Sequence, residues 1–260
     1  MTNLTKNLTN KIAIITGASS GIGEATAFAL AEAGCHLALG ARRSEKLEKV
    51  AEKIRQTFKV RVFTNALDVT QTPQIDAFVA ATQKEFGRMD ILVNNAGLAK
   101  GTDLLIDGKE QDWETMLETN VLGVMKITRA VLKPMLSQSE GGHIINLGSM
   151  AGLIYYSGGS AYCASKHALR AVTGVLRHEL LGKPIRITSI DPGLVETEFS
   201  VVRFSGDADK AKNVYQGMTP LVAEDIAQCI VFAASRPKHV NVDQLVVTPL
   251  DQAQGTVARK

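Results

Sequence analysis

The segment Ser149 to Lys166, SMAGLIYYSGGSAYCASK, holds three groups able to move a proton to or from a substrate oxygen. Tyr162 and Lys166 stand four residues apart in YCASKHALRAV, a stretch of helical composition. Residues four apart on a helix project from one face. An ammonium beside a phenol favours phenolate and lowers a tyrosine pKa from its ordinary value of about 10. The pair therefore predicts an acid or base working near neutrality. Ser149 follows the apolar run HIINLG, which reads as a buried strand ending where a parallel sheet places its ligands. Its hydroxyl could hold a carbonyl oxygen. A Tyr and a Lys four apart also decorate exposed helices, so the chemistry depends on what positions them.

The positioning elements are legible as an alternation of strand-like apolar runs with amphipathic helical segments, the pattern of parallel βαβ units. The expected fold is α/β: one Rossmann-type, doubly wound parallel sheet of about seven strands with helices on both faces, built as a single domain over 1–260. Its first unit is a strand at Ile12 to Thr16, a glycine-rich turn, a helix to about Ala33, and a second strand at His36 to Gly40. Gly17, Gly21 and Gly23, with Ser19, Ser20 and Ile22 between them, allow a tight turn, close approach of a pyrophosphate to backbone, and close packing of the helix whose N-terminus would face the phosphates. The order GxxxGxG departs from the commoner GxGxxG. After the second strand the chain reads Gly40-Ala41-Arg42-Arg43. An acid there would bind ribose hydroxyls, whereas guanidiniums pair with a 2′-phosphate, so Arg42 and Arg43 select NADP(H). A solvated helix start is the competing reading.

Asp68, with Val69, follows a further strand in KVRVFTNALDVT and could accept a hydrogen bond from an adenine amino group. Asn94, Asn95, Ala96 and Gly97 follow Ile91 to Val93 as a small polar turn where a cofactor could lie against backbone. A long helical stretch opens at Asp112-Trp113-Glu114, and Asn120 interrupts its apolar pattern. Asparagine is a poor helix former, so Asn120 marks a local break that could hold a water near the site, unless it is a satisfied core residue. The helix carrying Tyr162 is expected to reach about Leu181. A sixth strand then breaks at Pro192 and Gly193, in a turn with Val195 and Thr197 that could clasp a nicotinamide carboxamide and reach a phosphate. Residues 200–217 read as an irregular, polar, mobile lid carrying Arg203. A helix at about Ala223 to Ala234, a seventh strand in QLVVT, and a tail over 249–260 that could pack on another subunit complete the chain.

Composition sets the outer bounds. At 45% hydrophobic, 21% charged and a net charge of +3, the chain has an ordinary globular make-up with no basic run of the kind that tracks nucleic acid. Met1 to Asn10 is polar, and no segment approaches the roughly 20 apolar residues that span a bilayer, so a cytoplasmic protein with no membrane partner is expected. Cys35, Cys163 and Cys229 are widely spaced and lack His partners at metal-ligand spacing, which predicts packing roles and no metal.

In their order and spacing, TGASSGIG, NNAG, Asn120, Ser149, Tyr162-x-x-x-Lys166 and DPG resemble the classical short-chain dehydrogenases/reductases over nearly the whole chain. The resemblance implies that Tyr162 is the proton donor or acceptor, that Lys166 lowers its pKa and binds the nicotinamide ribose, that Ser149 positions the substrate oxygen, and that Asn120 holds the water of a proton relay. Gly40-Ala-Arg-Arg43, Asp112-Trp-Glu-Thr-Met116 and Glu198-Phe-Ser-Val-Val-Arg-Phe-Ser-Gly-Asp207 are similar to the NADP-dependent 3-hydroxy acid dehydrogenases, the serine dehydrogenase and malonic semialdehyde reductase type, and also to sulfoacetaldehyde reductases. These imply a homotetramer and a small anionic substrate that Arg203 could grip through two parallel hydrogen bonds. A broad carbonyl reductase and a non-catalytic NADPH-binding sensor are the alternatives.

Overall fold

Uninterrupted apolar runs form strands covered on both faces, and in a computed structural model describing residues 5–259 they do so here. Part of the polar segment Met1 to Asn10, and Lys260 of the tail, lie outside the described residues. The seven-stranded sheet consists of β1 (Ile12–Thr16), β2 (His36–Ala41), β3 (Val62–Ala66), β4 (Ile91–Asn94), β5 (Gly142–Leu147), β6 (Ile185–Pro192) and β7 (Gln244–Val247). All its pairings are parallel, in the order β3-β2-β1-β4-β5-β6-β7. The order reverses between β1 and β4, so the turns that follow these two strands border a crevice beyond their carboxyl ends, where ligands of such sheets bind.

The helices cover both faces. Ile15, Leu37 and Leu39 pack with Leu30 of α1 (Gly21–Glu32), Leu47 of α2 (Ser44–Thr57) and Ile226 of α9 (Ala223–Ala234). On the other face Ile14, Leu92 and Ile144 pack with Phe78 of α3 (Thr72–Phe86) and Val131 of α5 (Val124–Leu136). α4 (Glu110–Leu117) runs into α5 through a π-helical turn at Glu118–Gly123, which contains Asn120. The break predicted from that asparagine is therefore present. α6 (Ser160–Glu179) carries Tyr162 and Lys166 and ends two residues short of the expected Leu181.

The stretch expected to be irregular is more ordered than its composition suggests. It contains α7 (Glu198–Arg203), capped by the Thr197 hydroxyl on the Phe199 amide, and α8 (Ala208–Asn213), capped by Asp207 on the Lys210 amide. Side-chain caps let such short helices persist. The tail forms a small hairpin, β8 (Gln252–Ala253) with β9 (Thr256–Val257), and docks on its own chain: the Leu194 amide donates to Gln252 at 2.8 Å and the Thr219 amide to Asp251 at 3.1 Å.

His143 in β5 lies 2.7 Å from the Thr188 hydroxyl, which itself donates to the Val242 carbonyl at 2.7 Å. Nε2 must then carry a proton and donate it, in a neutral imidazole. Burial first, then Arg186, holds the His143 pKa well below the ordinary 6.5. Below that pH the unfolded chain binds a proton that the folded chain refuses, so stability present above pH 6.5 is lost as pH falls. The loss can reach about 1.4 kcal/mol per pH unit below pH 6.5. Urea unfolding at pH 7 and pH 5 should show His143→Gln losing correspondingly less stability on acidification than the parent. An equal loss in both would remove His143 as the cause.

Candidate active site

The apolar end of β5 delivers Ser149 to the crevice. Ser149 caps a single turn at Met150–Gly152, its hydroxyl accepting from the Ala151 amide at 3.1 Å, and its side chain acts to lower the pKa of the neighbouring Tyr162 phenol. The two hydroxyl-bearing residues nominated by the sequence are thus neighbours at the crevice. Burial pushes the Tyr162 phenol up to about 12, against the lowering effect of the Ser149 hydrogen bond. This corrects the expectation of a depressed value. The helix does bring Lys166 near, 5.9 Å from the Tyr162 ring centroid, but its ammonium donates to the Leu147 carbonyl at 2.8 Å. Loss of solvent around the phenol outweighs a charge that is directed elsewhere, so Tyr162 is held as a neutral proton donor. Burial also lowers Lys166 itself, to about 8, while Asp191 acts to raise it.

Asp191 was missed as a site residue, although a carboxylate closing an apolar strand was a usable signal. It is 3% exposed and accepts from the Ser149 amide at 3.1 Å, the Ser189 hydroxyl at 2.9 Å and Gln244 at 2.7 Å. A Cβ on Gly148 would lie 1.7 Å from its oxygen, so the chain passes against the carboxylate only as glycine. Asp191→Asn keeps the shape but turns an NH2 toward groups that donate. It should cost about 1–3 kcal/mol in thermal unfolding and lower kcat by displacing Ser149. Unchanged stability and rate together would show that Asp191 positions nothing.

Asn120 Oδ1 accepts from the Leu98 amide at 2.9 Å, and its Nδ2 donates to the Leu98 carbonyl at 2.8 Å and to Ser165 at 3.1 Å. The side-chain amide pins the loop after β4, with both of its hydrogens donated within the chain.

The cofactor crevice is lined as follows. Gly17 adopts φ +67°, and a Cβ there would meet Ala96 and Asn95 at 3.0 Å. A Cβ on Gly23 would fall 2.4 Å from the Gly17 carbonyl, so α1 starts this close to the turn only with glycine present. Asn95 braces the same turn, its amide donating to the Thr16 carbonyl at 2.9 Å and the Gly17 carbonyl at 3.2 Å. The Ala96 amide donates to the Thr16 hydroxyl at 3.0 Å, and a Cβ on Gly97 would lie 3.2 Å from Asn120 Oδ1. Ile22 and Val69 pack in the core clusters, and Asp68 Oδ1 accepts from the Thr70 amide and hydroxyl at 2.9 and 2.8 Å. Beyond β6, the Gly193 amide is bonded to the Val247 carbonyl at 2.7 Å and that of Leu194 to Gln252. Of the turn expected to clasp a carboxamide, the Gly193 amide is thus engaged within the chain. Thr197 lies against Gly21 from across the crevice.

The two arginines separate. Arg43 donates from Nε to Ser19 at 3.3 Å, to the Ser20 hydroxyl, and to Glu198 at 2.8 Å. Arg42 is exposed beside it. Lys46, which sequence reasoning passed over, also reaches Glu198, at 3.0 Å. These hydrogen bonds from Arg43 and Lys46 hold the Glu198 carboxyl down at about 2.

Arg203 is half-buried at the mouth of the site. Its Nε donates to the Gly101 carbonyl at 3.1 Å, its backbone carbonyl accepts from the Gly101 amide at 2.9 Å, and its guanidinium carbon lies 5.7 Å from the Tyr162 ring centroid. A further donor reaches the Tyr156 hydroxyl at 3.3 Å. Tyr156 was also missed; a tandem tyrosine in the catalytic loop was its only signal. The neighbouring cleft is lined by Lys100, Asp112, Trp113, Gly159 and Tyr162, and Lys100 is paired with Asp112 at 3.3 Å. The hydrogen bonds of Arg203 go to neutral oxygens, so its charge faces Tyr162 uncancelled by them.

Serine, tyrosine and lysine thus meet at the open end of a dinucleotide-type sheet, and the short chain dehydrogenase family pattern matches residues 11–207. The chain belongs to the short chain dehydrogenase family. Within that family it is 48% identical over 246 residues, 94% of this chain and 95% of the relative, to an NADP-dependent 3-hydroxy acid dehydrogenase of Schizosaccharomyces pombe. It is 42% identical over 247 residues, 95% of this chain and 97% of the relative, to sulfoacetaldehyde reductase 2 of Chromohalobacter salexigens. Among solved structures, the closed form of serine dehydrogenase complexed with NADP+ superposes with a TM-score of 0.88 at 37% identity, covering 96% of this chain and 99% of that one. Among the described residues, no helix is long and apolar enough to cross a membrane.

Proposed function

We propose that this family member is an NADP(H)-dependent oxidoreductase interconverting a small anionic hydroxy compound, a 3-hydroxy acid such as serine or 3-hydroxypropionate, with its aldehyde or ketone. The observation that carries the substrate class is the Arg203 guanidinium, half-buried and facing Tyr162 while bonded only to neutral oxygens. A carboxylate held there has its hydroxyl-bearing carbon within reach of the phenol, and the remote ion pair orients that carbon. A sulfonate meets the same guanidinium equally well, so isethionate formation from sulfoacetaldehyde is the second reading.

The residues fit the dinucleotide: the glycine-rich turn has no space for a Cβ at Gly23, and Arg43 and Lys46 offer two cations at the end of β2. NADP(H), when bound, supplies or accepts the hydride. The protein handles the proton. Tyr162, neutral because buried, donates to the substrate oxygen in reduction, and Ser149 stabilises charge developing on that oxygen. Lys166 holds the nicotinamide ribose, and its charge favours the phenolate left behind. In this reading the relay water rests on the main chain around Asn120. The backbone from Gly193 through Val195 flanks the nicotinamide, Asp68 and Val69 flank the adenine, and Arg43 with Lys46 receives the 2′-phosphate, Arg42 contributing its charge from outside.

The lid at 200–217 works as part of one catalytic domain. The exposed Leu117, Leu122 and Met125 on α4, the π turn and α5 support a homo-oligomer, a tetramer by family resemblance, and three unpaired cysteines support a cytoplasmic setting. The deciding experiment measures NADPH oxidation across malonic semialdehyde, sulfoacetaldehyde and neutral short aldehydes. Preference for an anionic aldehyde supports the proposal. Equal rates on neutral ones would make the protein a broad carbonyl reductase, and binding of NADPH without turnover on any would make it a sensor.

A further inference from the structure

Glu198 stands where an anion from outside would be expected. Its carboxylate bridges two cations of the adenosine side, one oxygen to Arg43 at 2.8 Å and the other to Lys46 at 3.0 Å. Arg43 is at the same time anchored on Ser19 and Ser20 of the glycine-rich turn. The bridge therefore ties the start of α2 to the start of α7, two elements that follow different strands, across the turn between them. α7 is six residues long and ends at Arg203, so one short helix touches the adenosine-side cations at its first residue and the Tyr162 face at its last.

We infer that Glu198 is a built-in competitor of the cofactor's 2′-phosphate, holding Arg43 and Lys46 until the phosphate displaces it and retaking them as the dinucleotide leaves. This rests on the reading of those cations as the 2′-phosphate site. The chemistry favours exchange in both directions. A phosphate monoester carries nearly two charges and three acceptor oxygens, and so outcompetes one carboxylate for a fork of donors. The bridge is solvent-exposed, with side chains about half accessible, and such pairs are individually weak enough to break without a large barrier. A 2′-hydroxyl offers no charge to displace Glu198, so the competition acts on NADP(H) and not on NAD(H). Glu198 thus lowers affinity for the cofactor that the arginine and lysine attract, which speeds its release after turnover.

Titration of NADPH and NADH by nucleotide fluorescence into the intact protein tests this, together with release rates by stopped flow. Glu198→Gln should tighten NADPH binding by about 5-fold, as expected for removing one exposed charge pair. It should slow NADPH release and leave NADH binding unchanged. Glu198→Ala should repeat the result, and thermal unfolding would show that both variants are folded. Weaker binding of both nucleotides would overturn the inference in favour of a latch closing over any bound dinucleotide. Unchanged binding of both would also overturn it. Arg43→Ala with Lys46→Ala separates the two layers. Loss of NADPH preference there, with no effect of Glu198→Gln, sinks the competitor alone, whereas an unchanged preference sinks the 2′-phosphate site as well.

Discussion

Tyr162→Phe is expected to bind NADPH as the parent does and to lose turnover by roughly 10²- to 10⁴-fold, the contribution of a positioned general acid. The ring remains, with its packing against Phe199 at 5.8 Å between centroids, so the pocket keeps its shape. Only the hydroxyl whose pKa Ser149 acts to lower is removed. Because burial holds that phenol neutral, with its pKa at about 12, the loss should be as severe at pH 6 as at pH 8 when the aldehyde is reduced. Steady-state reduction at both values, beside a fluorescence titration of NADPH, checks it. A Phe variant with parental kcat would take Tyr162 out of the mechanism.

Arg203→Ala should divide substrates by charge. Losing a charge-assisted contact to a carboxylate or sulfonate costs on the order of 2 kcal/mol in kcat/KM, roughly 30-fold. A neutral alcohol of similar size should be nearly unaffected. The variant also loses the hydrogen bonds to Gly101 and Tyr156 that hold the end of α7, so Arg203→Lys is the useful companion. It keeps the charge but not the planar fork, and should recover part of the anionic preference. Equal losses on charged and neutral substrates would mean that the lid has been damaged rather than a substrate contact removed. No loss on either would make Arg203 a bystander at the cleft.

The parallel sheet and its sequence of units were legible because strands covered on both faces must be continuously apolar, and Ile12–Thr16, Ile91–Asn94 and Gly142–Leu147 could be little else. The glycine-rich turn was legible for a similar reason: Gly17 at positive φ and Gly23 without room for a Cβ are steric demands on residue type. Spacing alone put Tyr162 and Lys166 on one helical face, and Asn120 announced the π turn by its poor fit to a helix.

What spacing could not carry was direction and desolvation. A Lys four residues from a Tyr has a choice of partners, and only the folded chain shows the ammonium turned to the Leu147 carbonyl and the phenol raised by burial. Which of two adjacent arginines faces the crevice depends on the path of the chain leaving β2 against Ser19 and Ser20, a contact between segments some twenty residues apart. The longer contacts were further out of reach. Asp191 holding the Ser149 amide, Glu198 bridging Arg43 and Lys46, and Arg203 standing over Tyr162 each join residues that no local pattern relates. The sequence by itself determined the fold class and the types of residue at the chemical centre, because both follow from local sterics and hydrophobic period. Only the tertiary structure decided which charges are paired, which are buried and which face the substrate, because those energies depend on partners and solvent brought together by the fold.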